Sequence, residues 1–143
     1  MESDPKAKVK NKYLKLALRC IDGNEYDSDP QYKHAAVIVK GGRVLSIGTN
    51  KGKTHPKSVV TDDKGESYSL SIHAEMDAIS KIKNKNQLKG ATIYVARKGR
   101  AGTAGMSCPC KVCQRLINKY GFKRAVFTTD YGTGTMQFTG EDK

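Results

Sequence analysis

Tryptophan is absent from this 143-residue chain, and Phe and Tyr together make up 7% of it. The basic runs are not interleaved with aromatic side chains, so nothing marks a stacking platform for single-stranded nucleic acid. Long apolar runs are missing as well. None approaches the ~20 residues of a membrane-crossing helix. The polar start Met1-Glu2-Ser3-Asp4-Pro5-Lys6 lacks the apolar core of a secretory signal. A cytoplasmic protein without membrane association is expected, in the host cytoplasm if it is viral. Acidic residues are scarce: 14 Asp+Glu against 26 Lys+Arg leaves a net charge of +12. That excess implies anionic company, whether nucleotides or nucleic acid. The lysines are scattered, and the runs Lys6, Lys8, Lys10, Lys12, Lys15 and Lys81, Lys83, Lys85, Lys89 each read as a solvated helix face or end.

What is present is a globular composition, 37% hydrophobic and 28% charged. A chain of this length fits one domain that buries about two-thirds of its unfolded surface. Its four cysteines do not read as a disulfide framework. Cys108, Cys110 and Cys113 lie within six residues, far from Cys20. A close cluster in a chain without a signal peptide reads as a metal or redox site.

Periodicity organises the chain. Residues 1–8 read as a basic tail and 9–143 as one domain. Val9 to Ile21 has helical spacing, with Cys20 on its apolar stripe. Ala35–Lys40 and Arg43–Gly48 are β-rich runs joined by Gly41-Gly42, a hairpin signal. Residues 49–70 are polar and read as a long loop carrying Asn50, His55, Pro56 and Lys57. Ile72 to Asn84 reads as a helix, Ala91–Ala96 as a strand, and Arg97–Ser107 as a Gly-rich basic loop. Cys108 to Tyr120 reads as a helix stopped by Gly121. Lys123–Thr128 is a fourth strand and Thr135–Thr139 a short fifth. Only Asp130–Gly134 separates the last two, too few residues for a parallel crossover, so an antiparallel hairpin is expected.

Two short stretches carry the chemistry. Cys110 and Cys113, three apart at the start of a helix, put both sulfurs on one face, where the helix N-terminus favours thiolates. Pro109 suits the position before that first turn. His73-Ala74-Glu75 opens the preceding helix. His73 and Glu75 do not share a helix face, so one can bind a metal while the other serves the same pocket. One imidazole and two thiolates can hold Zn²⁺ with an open fourth position, beside a spare carboxylate; such a set performs hydrolysis. A redox Cys-x-x-Cys is the rival reading, and it leaves His73 and Glu75 unexplained. Arg97-Lys98-Gly99-Arg100 can meet a phosphate but is not a P-loop, because no Gly-Lys-Ser/Thr follows. His34 reads as structural, and Cys108 as a neighbour of the metal or a substitute ligand.

His-x-Glu followed by Pro-Cys-x-x-Cys resembles the zinc-binding pattern of the cytidine/deoxycytidylate deaminase superfamily. The resemblance covers about Ala35 to Thr129. It implies an α/β, three-layer α-β-α cytidine-deaminase-like fold, with a mixed central sheet of about five strands flanked by helices. It implies His73, Cys110 and Cys113 as zinc ligands and Glu75 as the proton shuttle. It also implies Asn50, Ala74 and Tyr131 as substrate-binding residues; the basic loop read from the sequence itself adds Arg97, Lys98 and Arg100 as phosphate contacts.

The branch signals differ. A His ligand resembles the deoxycytidylate and tRNA-editing branches, whereas the hairpin ending resembles compact free-nucleoside enzymes. The chain lacks the extended Cys/His insertion before His-x-Glu, and Gln114-Arg115-Leu116 does not look like the tRNA adenosine deaminases. The implied activity is deamination of cytosine to uracil in free nucleotides, dCMP first and dCTP second, similar to compact viral enzymes and feeding pyrimidine nucleotide synthesis. The alternatives are editing of single-stranded DNA or tRNA, and a zinc-stabilised binding module without catalysis, which an intact Glu75 disfavours. Homo-oligomers are implied by the resemblance alone.

Overall fold

A computed structural model describes residues 11–23, 32–61, 67–99, 107–109, 111–129 and 132–138. Among these, the order is α1 (Lys12–Gly23), β1 (Tyr32–Lys40), β2 (Arg43–Thr49), β3 (Lys51–Thr61), β4 (Ser67–Ile72), α2 (Ala74–Ser80), a 3₁₀ turn (Lys85–Leu88), β5 (Thr92–Gly99), α3 (Lys111–Lys119), β6 (Arg124–Thr129) and β7 (Gly132–Gln137). Five strands form one mixed sheet in the order β2-β1-β5-β6-β7. Only β5 and β6 are parallel, joined through α3; β6 and β7 are antiparallel, as the short connection requires.

The alternation of β1 explains the layers. Ala35, Val37 and Val39 pack with Leu14, Ala17, Leu18 and Ile21 of α1, while Ala36 and Ile38 face the opposite cluster with Ala74, Ala78 and Ile79 of α2 and Ile117 of α3. A strand buried on both faces reads as a continuous apolar run, which is how Ala35–Lys40 reads. Helix α1 begins where Asn11 Oδ1 accepts from the amides of Tyr13 (2.9 Å) and Leu14 (3.1 Å), an N-cap. The three layers expected of the sequence are therefore present. No described helix is long and apolar enough to cross a membrane.

Glycines shape β2 at its start and at its contact with α2. Gly41 (φ 59°) and Gly42 (φ 77°) make the β1–β2 turn with both central residues left-handed, as a two-residue hairpin demands. Further on, a Cβ added to Gly48 would lie 2.9 Å from Ala78 Cα and would clash with Ala78 N and Ala74 O. Strand β2 thus runs directly against the α2 backbone. Ser46 Oγ donates to Ala78 O (2.6 Å), Thr49 N–H donates to Asp77 Oδ2 (3.0 Å), and Lys81 Nζ donates to Ile47 O (2.7 Å).

Residues 49–70 depart from the expected loop. Strands β3 and β4 form a separate antiparallel ribbon, from Lys51↔Ile72 to Thr61↔Ser67. Its register shifts between Thr54 and Val59, the stretch holding Pro56, which has no amide to donate. A ribbon outside the main sheet needs no apolar alternation, so periodicity missed it. Strands β1 and β5 also extend past their apolar runs, to the pair Tyr32↔Gly99, because polar residues continue the ladder. Helix α2 ends at Ser80, short of Asn84, whose side chain instead caps the 3₁₀ turn at Asn86 N (3.0 Å). Helix α3 is described from Lys111, later than Cys108. The basic tail 1–8, Arg100, Cys110 and Tyr131 lie outside the described residues.

Candidate active site

The site forms where α2 and α3 begin, on one face of the sheet. His73 is the N-cap of α2 with extended backbone (φ −81°, ψ 154°), and its carbonyl accepts from Asp77 N–H at 3.0 Å. Its side chain does not cap; instead its Nδ1 lies 3.3 Å from Cys113 Sγ, forty residues later. Cys113 is fully buried on α3, and Glu75, in the first turn of α2, is 6% exposed. The metal-binding atoms of His73, Glu75 and Cys113 all lie within 4.8 Å of one another. Two zinc ligands at ~2.0 Å (N) and ~2.3 Å (S) in tetrahedral geometry stand about 3.5 Å apart. The His73–Cys113 separation fits that edge, and an imidazole, a thiolate and a carboxylate are the donors Zn²⁺ prefers.

A buried hydroxyl hub carries the chain into α3. Ser107 N–H donates to Thr128 O (2.9 Å), and Ser107 Oγ accepts from Thr128 N–H (2.9 Å) while donating to Val95 O (2.8 Å). This ties the segment before Cys108 to both parallel strands. Gln114 Nε2 then donates to Pro109 O at 2.7 Å, folding the first turn of α3 back on that segment. Cys108 is a free thiol outside the His73–Glu75–Cys113 triplet. Burial raises its pKa first, and the Glu75 carboxylate nearby adds to the rise.

The other sequence candidates divide. Ala74 is buried beside His73. Asn50 stands at the end of β2, its Oδ1 accepting from His34 N–H at 2.8 Å and its own N–H donating to His34 O at 3.3 Å. Arg97 has the parity of Ile93 and Val95, which pack under α2 and α3, so it lies on the site's face. Lys98 is corrected. It has the parity of Ala96 on the α1 face, and its Nζ pairs with Asp22 Oδ1 at 2.6 Å, so it is not brought to the site. His55 and Lys57 fall on β3.

His34, read from sequence as structural, belongs to this neighbourhood. Burial first, then the charges of Arg97 and His73, lower its pKa to about 4. The sequence signal for it was its parity with Ala36 and Ile38, which assigns it to the face of α2. Ser107, Thr128 and Gln114 were not anticipated, and no spacing pattern distinguishes them.

A three-layer α/β fold with buried metal-type ligands at the openings of two successive helices defines a class of metal-dependent proteins. Residues 7–129 match the family described as the cytidine and deoxycytidylate deaminase zinc-binding region, and the chain belongs to that family. An uncharacterized deaminase from the luxG 3′ region of Aliivibrio fischeri is 31% identical over 101 residues, covering 69% of this chain and 60% of that protein. Among solved structures, cytidine deaminase from Burkholderia pseudomallei has a similar fold, with TM-score 0.58 and 19% identity over 90% of this chain and 92% of that one. So does the dCMP deaminase of cyanophage S-TIM5 in complex with dCMP and dUMP, with TM-score 0.53 and 20% identity over 90% and 84%.

Proposed function

We propose that this protein is a zinc-dependent hydrolase converting cytosine to uracil in free nucleotides, dCMP foremost and dCTP second. The observation that carries this reading is the convergence of half-buried His73 Nδ1 and buried Cys113 Sγ at 3.3 Å with Glu75 alongside. His73, Cys113 and Cys110 would hold the ion. When bound, zinc supplies a water acidified toward neutral pH at its open position. Glu75 would take one proton from the attacking water at a carboxylate oxygen and pass it to ring nitrogen N3 as the water oxygen bonds to C4. The same carboxylate would then take the remaining proton from the C4 hydroxyl and deliver it to the amino group, so that the C4–N4 bond breaks and water and cytosine become uracil and ammonia. Near-complete burial of Glu75 keeps bulk water from competing for these transfers.

Asn50 is held by its paired bonds to His34 and is suited to orient the sugar or base. Ala74 offers its backbone at the base edge, and Tyr131, Arg97 and Arg100 complete the substrate-binding set. The antiparallel β6–β7 ending matches that of the compact free-nucleoside enzymes and so supports a free substrate over a polynucleotide. The enzyme acts in the cytoplasm as a homo-oligomer. The net charge of +12 favours a second reading, deamination within single-stranded DNA or tRNA. Ammonia release by the zinc-loaded protein on cytidine, dCMP, dCTP and a cytosine-containing oligonucleotide decides between them. Turnover of the free nucleotides is expected; turnover of the oligonucleotide alone would replace the first reading with the second.

A further inference from the structure

Asp77 is a buried carboxylate that the proposed chemistry does not use. It lies in the first turn of α2, 7% exposed, and its N–H donates to the carbonyl of the N-cap His73 at 3.0 Å. A charge is costly to bury and is kept where specific partners meet it. Here Oδ2 accepts from Thr49 N–H at 3.0 Å and meets Lys81 Nζ at 3.2 Å, one turn further along the same helix. Lys81 in turn donates to Ile47 O at 2.7 Å.

These contacts share one geometry. Strand β2 stands at the end of the sheet order, with β1 along one edge. Backbone groups of successive strand residues point to opposite edges. Asn50 N–H turns toward β1, to His34 O, so Thr49 N–H turns to the outer edge, as does Ile47 O two residues before it. The Asp77 carboxylate takes that amide, and the Lys81 ammonium takes that carbonyl. The ion pair stands in for one residue of a further strand, with an acceptor and a donor at the spacing of the ladder. Gly48, between Ile47 and Thr49, lets the strand lie against the Ala74 and Ala78 backbone.

The consequence falls on Asn50, which follows Thr49 directly. On one edge it is bound to His34, whose N–H donates to Asn50 Oδ1 at 2.8 Å. On the other edge, one residue earlier, the chain is gripped by the helix that opens with His73 and carries Glu75. A side chain that orients a substrate needs such support, because small misplacements are costly to catalysis. We propose that Asp77 is a positioning residue: through Thr49 it fixes Asn50 relative to Glu75 and His73, and Lys81 holds its carboxylate in place. This rests on the cytosine-deaminase reading above, in which Asn50 orients the sugar or base. An ion pair with a half-exposed lysine adds little stability by itself, so its effect is sought in the site.

The test is a double-mutant cycle on dCMP deamination by zinc-loaded protein. Asp77→Ala and Lys81→Met are compared in the wild-type and Asn50→Ala backgrounds. Asp77→Ala should lower kcat/KM by about 10- to 100-fold while one zinc per chain is retained. Lys81→Met should lower it by less. Asp77→Asn, whose amide oxygen still accepts from Thr49 N–H, should recover most of the loss. In the Asn50→Ala background neither Asp77→Ala nor Lys81→Met should cost more than about twofold, because the residue they position is gone. A purely structural role would give the same factor in both backgrounds, and that result overturns the proposal. Loss of zinc from Asp77→Ala, or wild-type kcat/KM in that variant, overturns it as well. Should Asp77→Ala fail to fold, Lys81→Met carries the cycle with the same two outcomes.

Amide exchange is followed in the same proteins without substrate. Asp77→Ala, or Lys81→Met in its place, should speed exchange at His34 and Asn50 while the β5–β6 ladder holds. If wild type deaminates no cytosine substrate and these two amides still lose protection, the positioning role stands and the deaminase reading falls. Unchanged protection in an inactive protein sinks both.

Discussion

Ser107 and Thr128 bind each other through backbone and side chain at once. Ser107 N–H meets Thr128 O at 2.9 Å, Thr128 N–H meets Ser107 Oγ at 2.9 Å, and the two hydroxyl oxygens are 2.9 Å apart. Both residues are buried, at 4% and 0% exposure, so water cannot replace either partner. Ser107→Ala would leave the Thr128 amide without its acceptor. A loss of about 1–3 kcal/mol is expected, read as a lower midpoint in urea unfolding. Because the hub anchors the approach to α3, the same variant should release zinc to a chelator faster than wild type.

On the proposed mechanism Glu75 transfers protons without bonding to the metal. Glu75→Gln keeps the shape of the side chain and removes its basicity. The variant should retain one zinc per chain by metal analysis and lose about 10²- to 10⁴-fold in kcat. A variant with wild-type turnover would transfer the acid/base role elsewhere.

Cys113→Ser removes the buried sulfur that lies 3.3 Å from His73 Nδ1. Zinc content should fall well below one per chain. A ligand that binds only the folded state stabilises it by RT ln(1 + [L]/Kd). Adding zinc should therefore raise the wild-type Tm more than that of the variant, and chelation should bring the two together.

Gly48 lies where β2 meets the α2 backbone. Gly48→Ala places a methyl against Ala78 and Ala74, neither of which can move without shifting the helix. The expected cost is about 1–3 kcal/mol or more in unfolding free energy. His73 caps the same helix, so zinc affinity should decline with stability. Ala78→Gly should not rescue the variant, because the clash is with backbone atoms.

The His34 imidazole, lowered from 6.5 to about 4 by burial and by the charges of Arg97 and His73, gives acid sensitivity of definite sign. The unfolded chain takes up a proton on this ring at higher pH than the folded one. Its contribution is complete above about pH 6.5, falls as pH drops toward 4, and changes no further below that. His34→Gln should flatten this part of the profile of unfolding midpoint against pH.

Much of this fold was legible because its central elements are buried on both faces. Strand β1 and the stripe of α1 announce themselves through apolar spacing, as do the His-x-Glu and Cys-x-x-Cys helix openings that meet in the His73–Cys113 contact. What periodicity could not find were elements whose sequences carry no apolar alternation. The β3–β4 ribbon stands outside the main sheet, and the polar ends of β1 and β5 look like loop. Side-chain direction was the other limit. Arg97 and Lys98 are neighbours in sequence, but the pleat sends one toward the site and the other to Asp22. Seeing that required the register, which the sequence of a single basic run does not contain.

The forty-residue separation of His73 and Cys113 has a consequence for how the molecule assembles. The two residues belong to helices on either side of β5 in the chain, so they meet only once β5 has paired with β1 and α3 has docked. Such long-range closure comes late on a folding path. A nascent chain therefore cannot complete the His73–Cys113 contact locally, whatever the nearby Cys-x-x-Cys pair offers a metal. Once seated, the ion would clasp two helices that share no covalent link nearer than this loop, and unfolding of either would have to begin by letting it go.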